Sequence, residues 1–81
     1  MKSKAVFYHA GCPVCVSAEQ ALTRALDSNR FELEIVHLGQ NRDRIAEAER
    51  LGVKSVPAVV IDGQVLHINF GASLEDVKRG G

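Results

Sequence analysis

A strand, a helix and a second strand are predicted to follow one another at the start of the chain. Residues 4–8 form a short apolar run with Val, Phe and Tyr, which suits a buried central strand. From residue 14 onward, apolar side chains recur at the spacing of one helix face: Val14, Ala18, Ala21, Leu22, Ala25 and Leu26. Phe31, Leu33 and Ile35 then alternate with two glutamates, as in a half-covered strand. Two strands joined through a helix are expected to be parallel, with a right-handed crossover.

A second helix is predicted between residues 41 and 52. Asn41 is placed to act as its N-cap, and Gly52 is placed to end it in a left-handed conformation. Three residues make a short apolar stripe between them: Ile45, Ala48 and Leu51. The charged side chains of this segment are mixed in sign, which a solvated helix face explains without a partner.

The rest of the chain predicts a hairpin and a last short helix. Residues 58–61 form a second buried-strand run, and Asp62-Gly63 is a strong two-residue turn signal. Three apolar residues mark one face of the returning strand: Leu66, Ile68 and Phe70. Residues 73–76 resemble a capping box that opens a helix. The order β-α-β-α-β-β-α predicts an α/β fold, in which residues 1–81 form one domain with a mixed four-stranded sheet and helices on both faces.

The charge balance argues against several classes of partner. The chain has ten Lys plus Arg and ten Asp plus Glu, so its formal net charge is zero. No basic field attracts nucleic acid or anionic lipid, and a near-zero charge does little to oppose homodimer formation. The first residues lack the apolar run of a signal peptide, and no stretch approaches membrane-spanning length. We therefore expect a cytoplasmic protein, either a monomer or a homodimer, that binds neither nucleic acid nor membrane.

Two cysteines, Cys12 and Cys15, lie three positions apart where the first loop turns into a helix. A loop of four residues gives little chain-entropy stabilisation, so a disulfide here would be a poor structural staple. Pro13 fits the first helical turn, where its missing N–H is not needed. The N-terminus of a helix lowers the pKa of a thiol, and a second thiol one turn away can attack a mixed disulfide. The pair therefore predicts a redox site, with Cys12 as nucleophile and Cys15 as resolving thiol.

Other interpretations of the cysteine pair are a metal site and two unreactive structural cysteines. Two cysteines at this spacing are also half of a zinc site, for which His9 is a candidate third ligand and either His37 or His67 a fourth. The pair follows a predicted strand and opens a helix within a βαβ unit, which is the context of a redox motif. We therefore expect redox chemistry and no metal.

Three short motifs together resemble those of a known family: Cys12-Pro13-Val14-Cys15, then Ser55-Val56-Pro57 at the start of the third strand, then Gly71 after the fourth. With these motifs the chain resembles the thioredoxin/glutaredoxin family over essentially its whole length. The resemblance implies a thioredoxin-like fold in which Pro57 is cis and packs beside Cys12, and in which the backbone of Val56 pairs with an extended substrate. It also implies a substrate-binding surface: Val14, Val56, Pro57, Gly71 and Ser73.

Within that family, the chain is similar to glutaredoxin in its length and its Cys-Pro-x-Cys pattern. Residues 71–76 partly match the glutathione-binding segment of glutaredoxins, so Ser73 either binds a carboxylate or is a simple N-cap. We favour a thiol–disulfide oxidoreductase that acts on protein disulfides without a bound cofactor, with a thioredoxin-reductase-type protein or glutathione as electron donor. The alternatives are glutathione-dependent exchange of the glutaredoxin type and a non-enzymatic thioredoxin-like binding module or dimer.

The three histidines have less specific interpretations. His9 lies in the loop three residues before Cys12, where it either supports the thiolate and shuttles a proton or has no role in the site. His37 shares the parity of Leu33 and Ile35, so we expect it to be partly buried and structural. His67 is expected on the sheet face opposite Leu66 and Ile68, under a helix.

Overall fold

The strands and helices form in the order β-α-β-α-β-β-α that the sequence predicts. The computed structural model describes residues 3–11, 13–27 and 29–79, with only the backbone of residues 69 and 70. The elements are β1 (Ser3–His9), α1 (Pro13–Ala25), β2 (Phe31–His37), α2 (Ile45–Leu51), β3 (Ser55–Ile61), β4 (Gln64–Ser73) and α3 (Leu74–Lys78). A 3₁₀ turn, Arg42–Arg44, leads into α2. The fold class is therefore confirmed as α/β.

One mixed sheet with the strand order β2-β1-β3-β4 organises the molecule. β1 and β2 are parallel, with Val6 opposite Glu34, as expected for strands joined through a helix. β3 runs antiparallel to β1 and forms a hairpin with β4. Asp62 and Gly63 at the hairpin turn both have positive φ, 51° and 80°, as a two-residue turn of this kind requires.

One face of the sheet packs against α1. Ala5, Phe7 and Val59 form a buried cluster there with Ala18 of the helix, and Leu22 packs against its margin. Ala21 and Ala25, which the sequence placed on the buried helix face, are exposed. The apolar residues predicted for α1 cover a wider part of the helix circumference than the sheet contacts. Ala21 and Ala25 lie at the margin of that part and remain exposed to solvent.

The opposite face of the sheet packs against α2 and α3, so helices cover both faces as predicted. Three strands and both of these helices contribute to the buried cluster on this side, whose members include Tyr8, Val36, Val60, Ile45, Ala48, Leu74 and Val77. Neighbouring side chains of β2 point to opposite faces: Val36 is buried on this side, whereas Ile35 lies on the α1 side and is exposed. Ile35 is therefore not covered, although the sequence predicted it on the covered face of this strand.

The second helix differs from the sequence prediction at its start and keeps its predicted end. Asn41 precedes the 3₁₀ turn and makes no side-chain cap; its amide instead donates to the carbonyl oxygen of His37. Gly52 has φ 100°, and its N–H donates to helix carbonyls, so it ends α2 in the left-handed conformation. Leu51, the last residue of the predicted apolar stripe, is exposed.

The last strand is longer than predicted and carries a bulge. The β3–β4 register shifts between Val56 and Ala58, so that Pro57 lies opposite an irregular stretch of β4. Gly71 and Ser73, expected after the strand, lie within it because pairing resumes at Ala72. His67 is exposed rather than covered by a helix, and its Nε2 accepts a hydrogen bond from the Lys54 N–H at 3.2 Å.

Candidate active site

Cys15 lies in the first turn of α1, where its side chain is fully buried. It belongs to the same buried cluster as Tyr8 and Val56, and its sulfur is disulfide-bonded. Pro13 is the first residue of α1 and is exposed, and Val14 is half-buried. Cys12, the predicted nucleophile, lies outside the described residues. Helix α1 therefore places Cys15, one of the two cysteines of the predicted redox site, at the end of the sheet.

Val56 and Pro57 lie at the start of β3, both fully buried, and the peptide bond between them is cis, as the resemblance implies. On one side Val56 pairs with Ala72 of β4. The pairing with β1 runs only as far as Tyr8 and Ala58, so Val56 lies beyond it. Because β1 and β3 are antiparallel, the start of β3 and the end of β1 lie at the same end of the sheet.

His9 is the last residue of β1, and its side chain is buried, so the prediction that it lies in a loop is wrong. The parallel register with β2 extends to His9 itself, which carries the strand one residue further than the apolar run. Its ring stacks on Phe7 at 5.4 Å between centroids, and its Nδ1 accepts a hydrogen bond from the Gly11 N–H at 3.1 Å. In the neutral ring the proton is therefore on Nε2, 3.7 Å from a carboxylate oxygen of Glu19.

The surroundings of His9 favour its neutral form. Burial is the main cause that lowers the pKa of His9, and the nearby His37 lowers it further, while Glu19 acts in the opposite direction. Glu19 was not singled out from the sequence. It lies one helical turn after Cys15, a spacing that places two side chains on neighbouring parts of the same helix face.

His37 is half-buried, as the sequence predicts, but its contacts within this cluster were not predicted. Its ring meets that of His9 edge to face at 4.7 Å, and its Nδ1 accepts a hydrogen bond from the Gly39 N–H at 3.1 Å. Gly11, the residue before Cys12, has φ 78°, and a Cβ there would lie 2.7 Å from His37 Nε2. His37 is therefore packed directly against the loop that leads to the predicted nucleophile.

Gly71 and Ser73 belong to the part of β4 that pairs with the start of β3. The Ser73 hydroxyl accepts a hydrogen bond from the Asp76 N–H at 3.2 Å, so Ser73 is the N-cap of α3. Beside it is a cavity of about 370 Å³, lined by Glu49, Gly52, Val53, Lys54, Ser73, Leu74 and Glu75. Neither Cys15 nor Pro57 lines this cavity. The structure therefore places Ser73 near the start of β3 with its oxygen already engaged.

Tyr8 is buried in the core, and its hydroxyl donates a hydrogen bond to the Glu47 carboxylate of α2. Burial is the main cause that raises the pKa of Tyr8, and the bond to Glu47 adds to it. Arg44 donates to Glu47 at 2.8 Å and to Glu34 of β2 at 3.0 Å, which lowers the pKa of both carboxyl groups. This network ties β1, β2 and α2 together behind the site.

Two further observations concern metals and membranes. Among the residues that the structure describes, no three His, Cys, Asp or Glu side chains come together as a metal site would require. Within the same ranges, no helix is both long and apolar enough to cross a membrane.

Comparison with known proteins establishes the family. A family model for the thioredoxin domain matches residues 2–77. An uncharacterized 9.0 kDa protein from the mobE 3′ region of Acidithiobacillus ferrooxidans is 38% identical over 76 residues, covering 93% of this chain and 86% of that protein. The solution NMR structure of a dimeric thioredoxin-like protein from Nitrosomonas europea is 65% identical, with a TM-score of 0.89 over 96% of this chain and 98% of that one.

The chain therefore belongs to the thioredoxin domain family, and its fold is the thioredoxin-like fold. It is a small member of that family.

Proposed function

We propose that this protein is a thiol–disulfide oxidoreductase that works through Cys12 and Cys15. The observation that carries the proposal is a disulfide-bonded Cys15, buried in the first turn of α1, in a chain with two cysteines. A disulfide between residues this close in sequence adds little to stability. Its position at the start of a helix in a thioredoxin-like fold favours a redox role over a structural one.

The two cysteines take different parts in the reaction. Cys15 is fully buried, so it is poorly placed to attack the disulfide of another protein. Cys12 directly precedes α1, whose first turn contains no acidic residue, so the helix N-terminus stabilises a thiolate there without opposition from a carboxylate. We therefore assign the first attack to Cys12 and the resolving step to Cys15.

The proposed exchange proceeds in two steps. The Cys12 thiolate attacks one sulfur of the substrate disulfide, which forms a mixed disulfide and releases the other substrate sulfur as a thiolate. Cys15 loses its proton and attacks the Cys12 sulfur, which releases the second substrate thiolate and forms the Cys12–Cys15 disulfide. Two electrons pass to the substrate, and an electron donor then returns the pair to the dithiol form.

Protein disulfides are the substrates that the site surface favours. Apolar side chains are exposed around the start of α1, among them Pro13 and Val16. We propose that an extended segment of substrate approaches the start of β3 and pairs with the backbone of Val56, which lies beyond the end of the β1 pairing. Val14 and Gly71 complete the substrate surface that we propose, the buried Pro57 packs beneath it, and His9 supports the site next to Gly11.

Glutathione is the alternative electron donor to a thioredoxin-reductase-type protein. Ser73 would bind its carboxylate, but the Ser73 oxygen already accepts the α3 cap hydrogen bond. Glu49 and Glu75 in the adjoining cavity oppose a bound anion, while Lys54 favours it. These contacts favour the reductase-type donor. A reversible dithiol also fits the reducing cytoplasm better than an oxidising compartment, which favours permanent disulfides.

The proposal predicts that the reduced protein accelerates reduction of insulin disulfides. Cys12→Ser removes the attacking thiolate, so turnover falls to the rate without protein. Cys15→Ser leaves the first step intact, so it stops turnover and accumulates a mixed disulfide at Cys12 that mass spectrometry detects. Turnover by Cys12→Ser at the wild-type rate would contradict the assignment. Parallel assays with glutathione alone and with a thioredoxin reductase identify the donor.

We also propose that the chain forms homodimers. This proposal is favoured by its 65% identity to a thioredoxin-like protein that is described as dimeric. The zero formal net charge of the chain gives little long-range repulsion between copies. Sedimentation equilibrium of the wild-type chain tests it, with a mass near twice the 8.8 kDa of one chain as the expected result.

A further inference from the structure

We propose that a second copy of this chain docks along the outer edge of β4, so that the two β4 strands pair antiparallel and extend the sheets of both copies. The inference rests on the proposed homodimer and gives its location. β4 is the last strand in the order β2-β1-β3-β4, so one of its sides pairs with β3 while the other lies at the edge of the sheet. Backbone groups at such an edge are a template for another strand.

The edge at β4 lacks the charged side chains and prolines that protect many edge strands, although β4 carries a bulge between His67 and Ala72 that includes Ile68. Natural edge strands carry charged side chains, especially Lys, or prolines that block pairing. Residues 64–74 contain no Lys, Arg, Asp, Glu or Pro. Two copies of this strand can therefore lie side by side without opposing like charges, and every backbone donor is present.

Apolar side chains are exposed on the same strand. Leu66 and Ile68 are 52% and 41% exposed, and Leu66 lies opposite Val59 of the buried cluster under α1. Pairing two β4 strands would continue this apolar face from one copy into the other. Removal of this apolar area from water favours the dimer.

The opposite edge of the sheet is a poor candidate. β2 carries Glu32 beside Glu34, which pairs with Arg44 and Lys4, and pairing two β2 strands would bring the Glu32 carboxylates of both copies close together. It also has an exposed apolar residue, Ile35, at 44%. Both edge strands expose an isoleucine, so the difference between them is the charge of their side chains. That difference favours dimerisation through β4.

The test compares the same substitution at the two edges. Ile68→Lys places a positive charge from each copy in the proposed interface and weakens dimerisation at least about tenfold, measured by sedimentation equilibrium. Ile35→Lys, at a residue of nearly equal exposure on the other edge strand, leaves the dimerisation constant unchanged. Circular dichroism and thermal melts of both variants check that each one folds.

Leu66→Lys is the second variant, and hydrogen exchange is the second measurement. If the interface is at β4, the outward-facing amides of β4 gain protection as wild-type concentration rises, while those of β2 do not. This readout needs no substitution, so it decides the case even if a variant fails to fold. A wild-type monomer at all concentrations would overturn the homodimer and this inference together. A dimer unaffected by Ile68→Lys and Leu66→Lys, without added protection in β4, would overturn the location alone.

Discussion

Gly11 is the residue whose surroundings are most restrictive. It precedes Cys12, its φ of 78° lies in the left-handed region, and the His37 ring occupies the space where a side chain would be. Glycine is therefore required here for two separate reasons: the left-handed backbone conformation and the lack of space for a Cβ beside the His37 ring. The first reason also applies to Gly63 in the hairpin turn, with φ 80°, but a Cβ there meets no atom within 4 Å.

This contrast predicts different costs for the same substitution. Gly63→Ala loses about 1–2 kcal/mol of unfolding free energy, because a residue with a Cβ is strained in the left-handed conformation. Gly11→Ala loses more, because its Cβ must also displace the His37 ring. Urea denaturation measures both. Adding His37→Ala to Gly11→Ala should recover part of the loss, and equal costs at the two glycines without such recovery would contradict the packing argument.

His9 predicts how stability depends on pH. Its pKa is lowered in the folded protein, mainly by burial, from an ordinary value of about 6.5. The unfolded chain therefore binds a proton more readily than the folded one between those two values, so stability decreases as pH falls below about 6.5. Urea denaturation at pH 7.5 and 5.5 measures the difference. Glu34 and Glu47 have lowered pKa values, so they titrate below this window.

Two variants separate His9 from the other histidines. His9→Asn keeps an acceptor for the Gly11 N–H and should reduce the loss of stability between the two pH values. His67→Gln, which replaces an exposed histidine of β4, is the matched control for the loss of a histidine. A loss that is equally large in His9→Asn would show that the titrating group lies elsewhere.

At the scale of elements, the Tyr8–Glu47–Arg44–Glu34 network joins strands to a helix. The Tyr8 hydroxyl comes from the central strand β1, Glu47 from α2, and Glu34 from the edge strand β2. Burial makes the Tyr8 hydroxyl costly without a partner, and Glu47 is that partner. The network therefore orders α2 against the strands whose ends carry His9 and His37.

Glu47→Ala should destabilise the protein more than Glu49→Ala, although both replace a glutamate in the same helix. Removing Glu47 leaves the buried Tyr8 hydroxyl without its acceptor and leaves Arg44 paired with Glu34 alone, at a cost of about 1–3 kcal/mol. Glu49 pairs with Lys78 at the surface, where an ion pair contributes about 0–1 kcal/mol. Thermal or urea unfolding of the two variants checks the difference. A larger loss for Glu49→Ala would contradict the role given to the network.

The elements could be predicted from the sequence because their signals are local. The apolar run before the cysteines, the Asp62-Gly63 turn and Gly52 each report on a few adjacent residues, and the structure agrees with all three. Periodicity alone could not say how wide an arc of α1 the sheet covers, so it placed Ala21 and Ala25 in the core. It also could not show that β2 is an edge strand on which Ile35 stays exposed.

At the scale of the whole molecule, the parallel β1–β2 register builds the site. It sets His9 opposite His37, 28 positions apart in sequence, and so brings both rings to the loop before Cys12. Cys12 and Cys15 could be found from their spacing, and Pro57 from the family resemblance. His37 and Glu19 could not, because their contacts depend on strand register and helix placement that no short motif encodes.

The redox equilibrium of the two cysteines tests the central claim most directly. The protein is equilibrated in glutathione buffers of varied potential, quenched in acid and alkylated, and the fraction of free thiol at Cys12 and Cys15 is measured by mass spectrometry. We expect both cysteines to titrate together, reversibly, in one two-electron transition with a tenfold change in ratio per about 30 mV. Cysteines that stay unchanged across the buffers, or that titrate independently, would contradict the claim.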